Sequence, residues 1–186
     1  YKNDISINNF SRSKEVIKKL EFSLTKDQIK ALNEIECDLK QKFRMYRLIQ
    51  GDVGSGKTII ALLATIDVIN NGFQVVLMAP TEILARQHYE YFCDYLPEFS
   101  HHISLLTGKT KSKKDIYKSI SSNKTKILIG THSVYNNDVR FQNLGLIIID
   151  EQHKFGVKQR IELLINQNFV IHLLCQPHPS LEVYPL

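Results

Sequence analysis

A chain of 186 residues is long enough for one domain with a sizeable core, and its 43% apolar and 23% charged residues are ordinary for a soluble globular protein, which excludes a disordered or fibrous chain. Lys and Arg number 24 against 19 Asp and Glu, a net charge of +5 that permits nucleic-acid binding without demonstrating it. Cys37, Cys93 and Cys175 are odd in number and lack CxxC spacing, so neither a disulfide framework nor a zinc site is indicated, and reduced cytosolic thiols are expected. No stretch has the apolar length of a membrane helix, and no basic-then-apolar leader opens the chain. It begins at Tyr1, which reads as an excised piece of something longer.

Residues 1–22 are polar and lysine-rich, with Val16, Ile17 and Leu20 at helical spacing, and read as a linker with a weak helix. In "SLTKDQIKALNEIECDLK", Thr25 and Gln28 fit a capping box, and Ile29, Leu32, Ile35 and Leu39 mark one helical face. "YRLIQ" reads as a strand running into "GDVGSGKT". A helix is predicted from 57 to about 70, closed by Gly72. Strands are predicted at 74–79, 102–106, 126–130, 144–150 and 169–174. Helices are predicted at 81–96, capped by Thr81 and ended by Pro97, and at 113–120 and 157–165. Apolar strands without in-out alternation, separated by helices, imply an α/β fold: a parallel sheet with helices on both faces.

The octapeptide at 51–58 fits GxxxxGK[ST]. Gly51, Gly54 and Gly56 let the backbone curl around an anion, with Ser55 between them, and the following helix adds free amides. Lys57 supplies a positive charge for the β- and γ-phosphates of ATP, and the Thr58 hydroxyl can ligate Mg²⁺. A P-loop ATPase also needs a carboxylate at the end of another strand. "LIIIDEQH" offers Asp150 for Mg²⁺ and Glu151 to activate water, although an Asp-Glu pair after a strand can equally cap a helix.

Five blocks in order, "RLIQGDVGSGKT", "LMAPTEILARQHY", "LLTG", "ILIGTHSV" and "LGLIIIDEQHKFGVKQR", resemble the first motor lobe of the RecG branched-DNA helicases of superfamily 2. The resemblance covers about residues 20–174 and implies a RecA-like ATP-binding lobe. It implies that Gln28 reads adenine, supported by Phe22 and Thr25. Pro80, Thr81, Glu82, Thr107, Gly108, Gly130, Thr131 and His132 would lie along a DNA backbone, gripping phosphates by hydroxyls, loop amides and helix N-termini. Helix capping by Thr81 and turn duty for Gly108 and Gly130 are the plainer readings. Gln152, His153, Gln159 and Arg160 would couple nucleotide state to DNA grip. Lys154 stands where the family more often has arginine. The transcription-repair coupling translocases have a similar first lobe, but Ser55, "APTEILA" and "DEQH" lean towards RecG. A P-loop kinase or transporter ATPase is disfavoured by the same blocks.

Such motors close ATP between two lobes, the second of which donates an arginine finger. No second lobe is readable in these residues, nor a fork-recognising wedge domain, so enzyme activity of the chain alone is left open. Weak nucleotide binding and negligible hydrolysis are expected. The alternatives are a non-catalytic nucleotide- or DNA-binding remnant, or half of a split motor completed by another polypeptide. The expected organisation is a linker at 1–22, the lobe at 23–174 and an aberrant tail at 175–186. There the family's Ser-Ala-Thr-Pro-Ile-Pro-Arg block is replaced by "CQPHPSLEVYPL". With permitted codons, reading from one base earlier at Leu174 restores that block, which suggests a shifted frame. Gene codons incompatible with the shifted reading would exclude it.

Overall fold

The computed structural model describes residues 6–41, 45–52, 54–150, 169–175 and 182–185. Within them a seven-stranded sheet has the order β3-β4-β2-β5-β6-β1-β7. The strands are β1 (Met45–Gly51), β2 (Gln74–Met78), β3 (Ile103–Leu106), β4 (Ile127–Gly130), β5 (Leu144–Asp150), β6 (Phe169–Cys175) and β7 (Glu182–Pro185). The first six run parallel, and β7 pairs antiparallel with β1. The parallel sheet expected from the apolar runs is therefore present. Four residues of the proline-containing tail add an edge strand that the sequence did not announce. Pro185 is tolerated there because an edge strand leaves some of its N–H positions unpaired.

Side-chain alternation splits the core between the two faces of the sheet. Val75, Leu77, Ile127, Ile129, Leu146 and Ile148 face one cluster, together with helices α2 (Lys26–Lys40), α3 (Lys57–Asn70) and α4 (Glu82–Tyr95). Val76, Met78, Leu128, Ile147 and Ile149 face the other, with Ile120 of α5 (Lys113–Ser121) and Val134 of the 3₁₀ turn His132–Tyr135. Both faces are covered because each strand is apolar on both sides. Helix α3 is apolar nearly all round, since it packs on the sheet and is itself roofed by α1 (Ser11–Lys19) and α2. Each fully buried Ile or Leu in it contributes roughly 1.5–3 kcal/mol.

The stretch read as a linker is docked from residue 6 onward. Ile7, Phe10 and Val16 are buried, and the Ile7 amide donates to Leu39 O at 2.8 Å. The Ser13 amide donates to Asp67 Oδ1 at 3.1 Å, and Asn71 Nδ2 to Asn9 O at 2.8 Å. These polar ties run to α3 and its C-cap. The helix expected at 157–165 lies outside the described residues.

Candidate nucleotide and nucleic-acid site

The parallel strands β1 and β5 flank β6, so Gly51 and Asp150 open onto the same end of the sheet, the usual place for ligands in such folds. A cleft of about 690 Å³ lies there, lined among others by Phe22, Thr25, Gln28, Gly54, Gly56, Lys57, Thr58 and Asp150. Its volume falls in the range of small-molecule sites. Four residues expected at the phosphate loop, and the acid expected opposite them, are thus brought to one cavity.

The loop is shaped by its glycines. Gly54 and Gly56 both have φ +83°, in the left-handed region. A Cβ on Gly56 would stand 2.1 Å from Gln28 Nε2, whereas Gly54 has open space. Gln28 explains the difference. Its Oε1 accepts from the Thr25 amide at 2.9 Å and Thr25 Oγ1 accepts from the Gln28 amide at 3.2 Å, the reciprocal capping box read from the sequence. Its Nε2 meanwhile donates to Ser55 O at 3.0 Å. One side chain therefore caps α2 and braces the loop. Beyond these bonds the amide has a second N–H and a second lone pair with which a ligand could be met.

Lys57 is buried at the start of α3. Its ammonium donates to Gly51 O and Asp52 O, both at 2.7 Å, and to Ser55 Oγ at 3.3 Å. The hydrogen-bond acceptors named here are neutral oxygens, which hold the ammonium in place where a positive charge can meet an anion. The Thr58 hydroxyl and the Asp150 carboxylate are oxygen donors of the kind a hard divalent cation takes. The donor set and the glycine cradle fit a nucleotide with its cation.

Sequence reasoning missed the side of the cleft built by α4. Leu84, Gln87, His88 and Tyr91 fall at helical i, i+3, i+4 and i+7 spacing and line it. That periodicity was readable, but its target was not. His88 Nε2 lies 2.7 Å from Asp150 Oδ2, and both residues are buried. Burial, with Tyr95 beside it, pushes the Tyr91 phenol up, so it stays a neutral group.

The residues expected to meet DNA also converge, at the C-terminal ends of β2, β3 and β4. Thr81 caps α4 by accepting from the Leu84 amide at 3.2 Å. Glu82 reaches the next loop, accepting from the Lys109 amide and ammonium, each at 3.1 Å, and Lys109 holds the Glu82 carboxyl below its usual range. A Cβ on Gly108 would lie 3.4 Å from that carboxylate. The Thr131 amide donates to Leu106 O at 3.2 Å, and a Cβ on Gly130 would come within 2.3 Å of the same oxygen. Gly130 is thus required by strand approach. Thr107 is buried, with its amide donating to Thr110 Oγ1 at 2.9 Å. Thr131 is also buried, and its hydroxyl has no partner among the described residues. Pro80 is half-buried and His132 exposed. Glu151, Gln152, His153, Gln159 and Arg160 lie outside the described residues.

RecG of Aquifex aeolicus is 48% identical over 153 residues, covering 81% of this chain and 19% of that protein. RecG of Thermotoga maritima is 46% identical over 164 residues, 87% of this chain and 21% of that protein. The chain thus spans about a fifth of the length of these relatives. Among solved structures, RecG bound to a three-way DNA junction superposes with TM-score 0.81 at 38% identity, over 92% of this chain and 24% of that one. The UvsW helicase of bacteriophage T4 superposes with TM-score 0.66 at 22% identity, over 92% of this chain and 61% of that one, and supports the fold alone. The pattern of the DEAD/DEAH box helicases matches residues 25–174, most of the chain, and by that match the protein belongs to the DEAD/DEAH box helicase family.

Proposed function

We propose that residues 23–174 form the ATP-binding motor lobe of a RecG-type DNA helicase that remodels branched DNA in recombination and repair. ATP use with a divalent cation follows from the family, and Mg²⁺ is the proposed ion. The observation that carries the reading is the convergence of Gln28, Lys57, Thr58 and Asp150 on one cleft. Gln28 is the proposed reader of the base, and Gly51, Gly54, Ser55 and Gly56 the backbone cradle. Lys57 would bind the phosphates, Thr58 and Asp150 would hold the cation, and Glu151 would activate water. The cation, when bound, neutralises charge on the transferring phosphoryl group.

Pro80, Thr81, Glu82, Thr107, Gly108, Gly130, Thr131 and His132 are the proposed DNA-facing set. Their clustering at one sheet edge and the likeness to a RecG seen on a DNA junction support it. Gln152, His153, Gln159 and Arg160 are the proposed coupling residues. No helix among the described residues is long and apolar enough to cross a membrane, and the cytoplasm is the proposed compartment. The tail 175–186 is proposed to be frameshifted.

These 186 residues alone are expected to bind nucleotide weakly and to turn it over negligibly, because an arginine finger is worth roughly 10³–10⁵ in rate. A second lobe supplied by another polypeptide would complete the motor. The test is ATP binding and hydrolysis with and without forked DNA, compared with Lys57→Ala. Nucleotide binding abolished in Lys57→Ala supports the site. DNA-stimulated, Lys57-dependent turnover by this chain alone would overturn the need for a second lobe.

A further inference from the structure

Helix α4 carries one side chain into the lining of the cleft for which neither the sequence motifs nor the proposed roles above give a purpose. His88 is buried in the middle of α4, and its Nε2 lies 2.7 Å from Asp150 Oδ2, across 62 residues of sequence. A buried carboxylate with one oxygen committed to a ring nitrogen has fewer orientations in which to present its other oxygen to a cation. Outer groups of this kind orient ligating carboxylates and tune affinity.

The helix that holds His88 is itself held along its length. Ala85 and Phe92 are fully buried against the sheet. The N-terminus is capped by Thr81 and pinned by Glu82 to the Lys109 backbone and ammonium. From Glu82 to His88 the rise is about 9 Å at 1.5 Å per residue. The helix N-terminus belongs to the edge where Pro80, Thr81 and Gly108 gather, and its middle touches Asp150. One rigid element therefore joins the two.

Resting on the nucleotide and DNA reading above, we propose that His88 is a positioning residue for Asp150. It fixes the carboxylate for the cation and makes α4 a strut through which a phosphate backbone at the Pro80–Glu82 turn is felt in the nucleotide cleft. The route runs from the capped start of α4 through His88 to Asp150.

The experiment uses this chain and a fluorescent ADP analogue, titrated by anisotropy in EDTA and in Mg²⁺, with and without forked DNA. The variants are His88→Leu, which keeps bulk and removes the ring nitrogen, and His88→Gln, which restores an N–H donor. His88→Ala replaces the Leu variant if that one does not melt cooperatively by circular dichroism. The expected result is that His88→Leu forfeits roughly 10-fold or more of the affinity gained with Mg²⁺, as removal of outer groups does elsewhere. Its affinity in EDTA should stay within about 2-fold of the parent's, and His88→Gln should recover most of the Mg²⁺ gain. Forked DNA should alter the Mg²⁺ gain in the parent and not in His88→Leu. Equal losses in EDTA and Mg²⁺ would reveal a merely structural role and overturn the proposal, as would an unchanged Mg²⁺ gain in a folded variant. A parent with no Mg²⁺-dependent gain would overturn the nucleotide-site reading and this proposal together. A Mg²⁺ gain abolished in His88→Leu but indifferent to DNA in the parent would overturn the strut.

Discussion

Gly54 and Gly56 share φ +83° but not their surroundings, and that separates two costs usually merged in a glycine motif. Alanine at either position meets left-handed backbone strain of about 1–3 kcal/mol. At Gly56 the new Cβ would also displace Gln28 Nε2, breaking its bond to Ser55 O and disturbing the capping box. Gly56→Ala is therefore expected to destabilise the fold by roughly 1–2 kcal/mol more than Gly54→Ala, the worth of one or two hydrogen bonds. Urea midpoints of the two variants measure the difference, and equal midpoints would remove Gln28 from the loop's support. The glycine loop proposed to hold phosphate could be picked out in the sequence because that chemistry fixes residue types at close spacing. The bond from Gln28 to Ser55, 27 positions away, was not, and neither was the meeting of His88 with Asp150. His88 sits in an amphipathic helix pattern like any inward residue. What it touches is decided by how α4 lies on the sheet.

At the scale of elements, strands and caps were readable because their signals are local. Thr25 and Thr81 cap as their positions suggest, and apolar runs without alternation pointed to the parallel sheet. Helix α1 looked like part of a linker because few of its residues are apolar and its anchorage is polar and remote. Asp67 is the clearest anchor. Its Oδ1 accepts from the Ser13 amide near the start of α1, while Oδ2 is buried without a partner among the described residues. Burial pushes its carboxyl up to about 6, outweighing the bonds from Ser13 that pull it down. A carboxyl raised in the folded state from an ordinary value near 3.8 binds its proton more tightly there than in the unfolded chain. Stability from this group is therefore greatest below about pH 4 and falls as pH rises to about 6. Above that the ionised group costs at most about 2–3 kcal/mol. Asp67→Asn keeps an acceptor for the Ser13 amide and removes the charge. Its stability relative to the parent should rise steadily from about pH 4 to about pH 6.5 and then level off. Urea unfolding across that range is the measurement, and a flat difference would show that Asp67 titrates normally.

For the whole molecule, the charge excess is not spread evenly. Beyond edge strand β3, the loop and helix α5 bring together Lys109, Lys111, Lys113, Lys114 and Lys118, with Asp115 as the one acid among positions 107–118. Lys109 is tied to Glu82, while Lys111, Lys114 and Lys118 are exposed and make no ion pair among the described residues. This arc continues from the Thr107–Gly108 end of the proposed DNA edge. A polyanion lying across Pro80–Glu82 and Thr107–Gly108 would meet those ammonium groups next, releasing one counterion for each phosphate neutralised. Duplex or forked DNA should therefore bind with an affinity that falls steeply with salt. Combined Lys111→Gln, Lys114→Gln and Lys118→Gln substitution should reduce the slope of log affinity against log salt by about 0.9 for each phosphate no longer neutralised, up to about 2.7. Nucleotide affinity should be unchanged, because none of the three lines the cleft. Fluorescence anisotropy of labelled DNA between low and physiological salt reads the slope directly. DNA bound with an unaltered slope would leave the motif edge as the phosphate track and return the lysines of α5 to an ordinary solvated face, the role a lysine-rich helix has when no polyanion lies beside it.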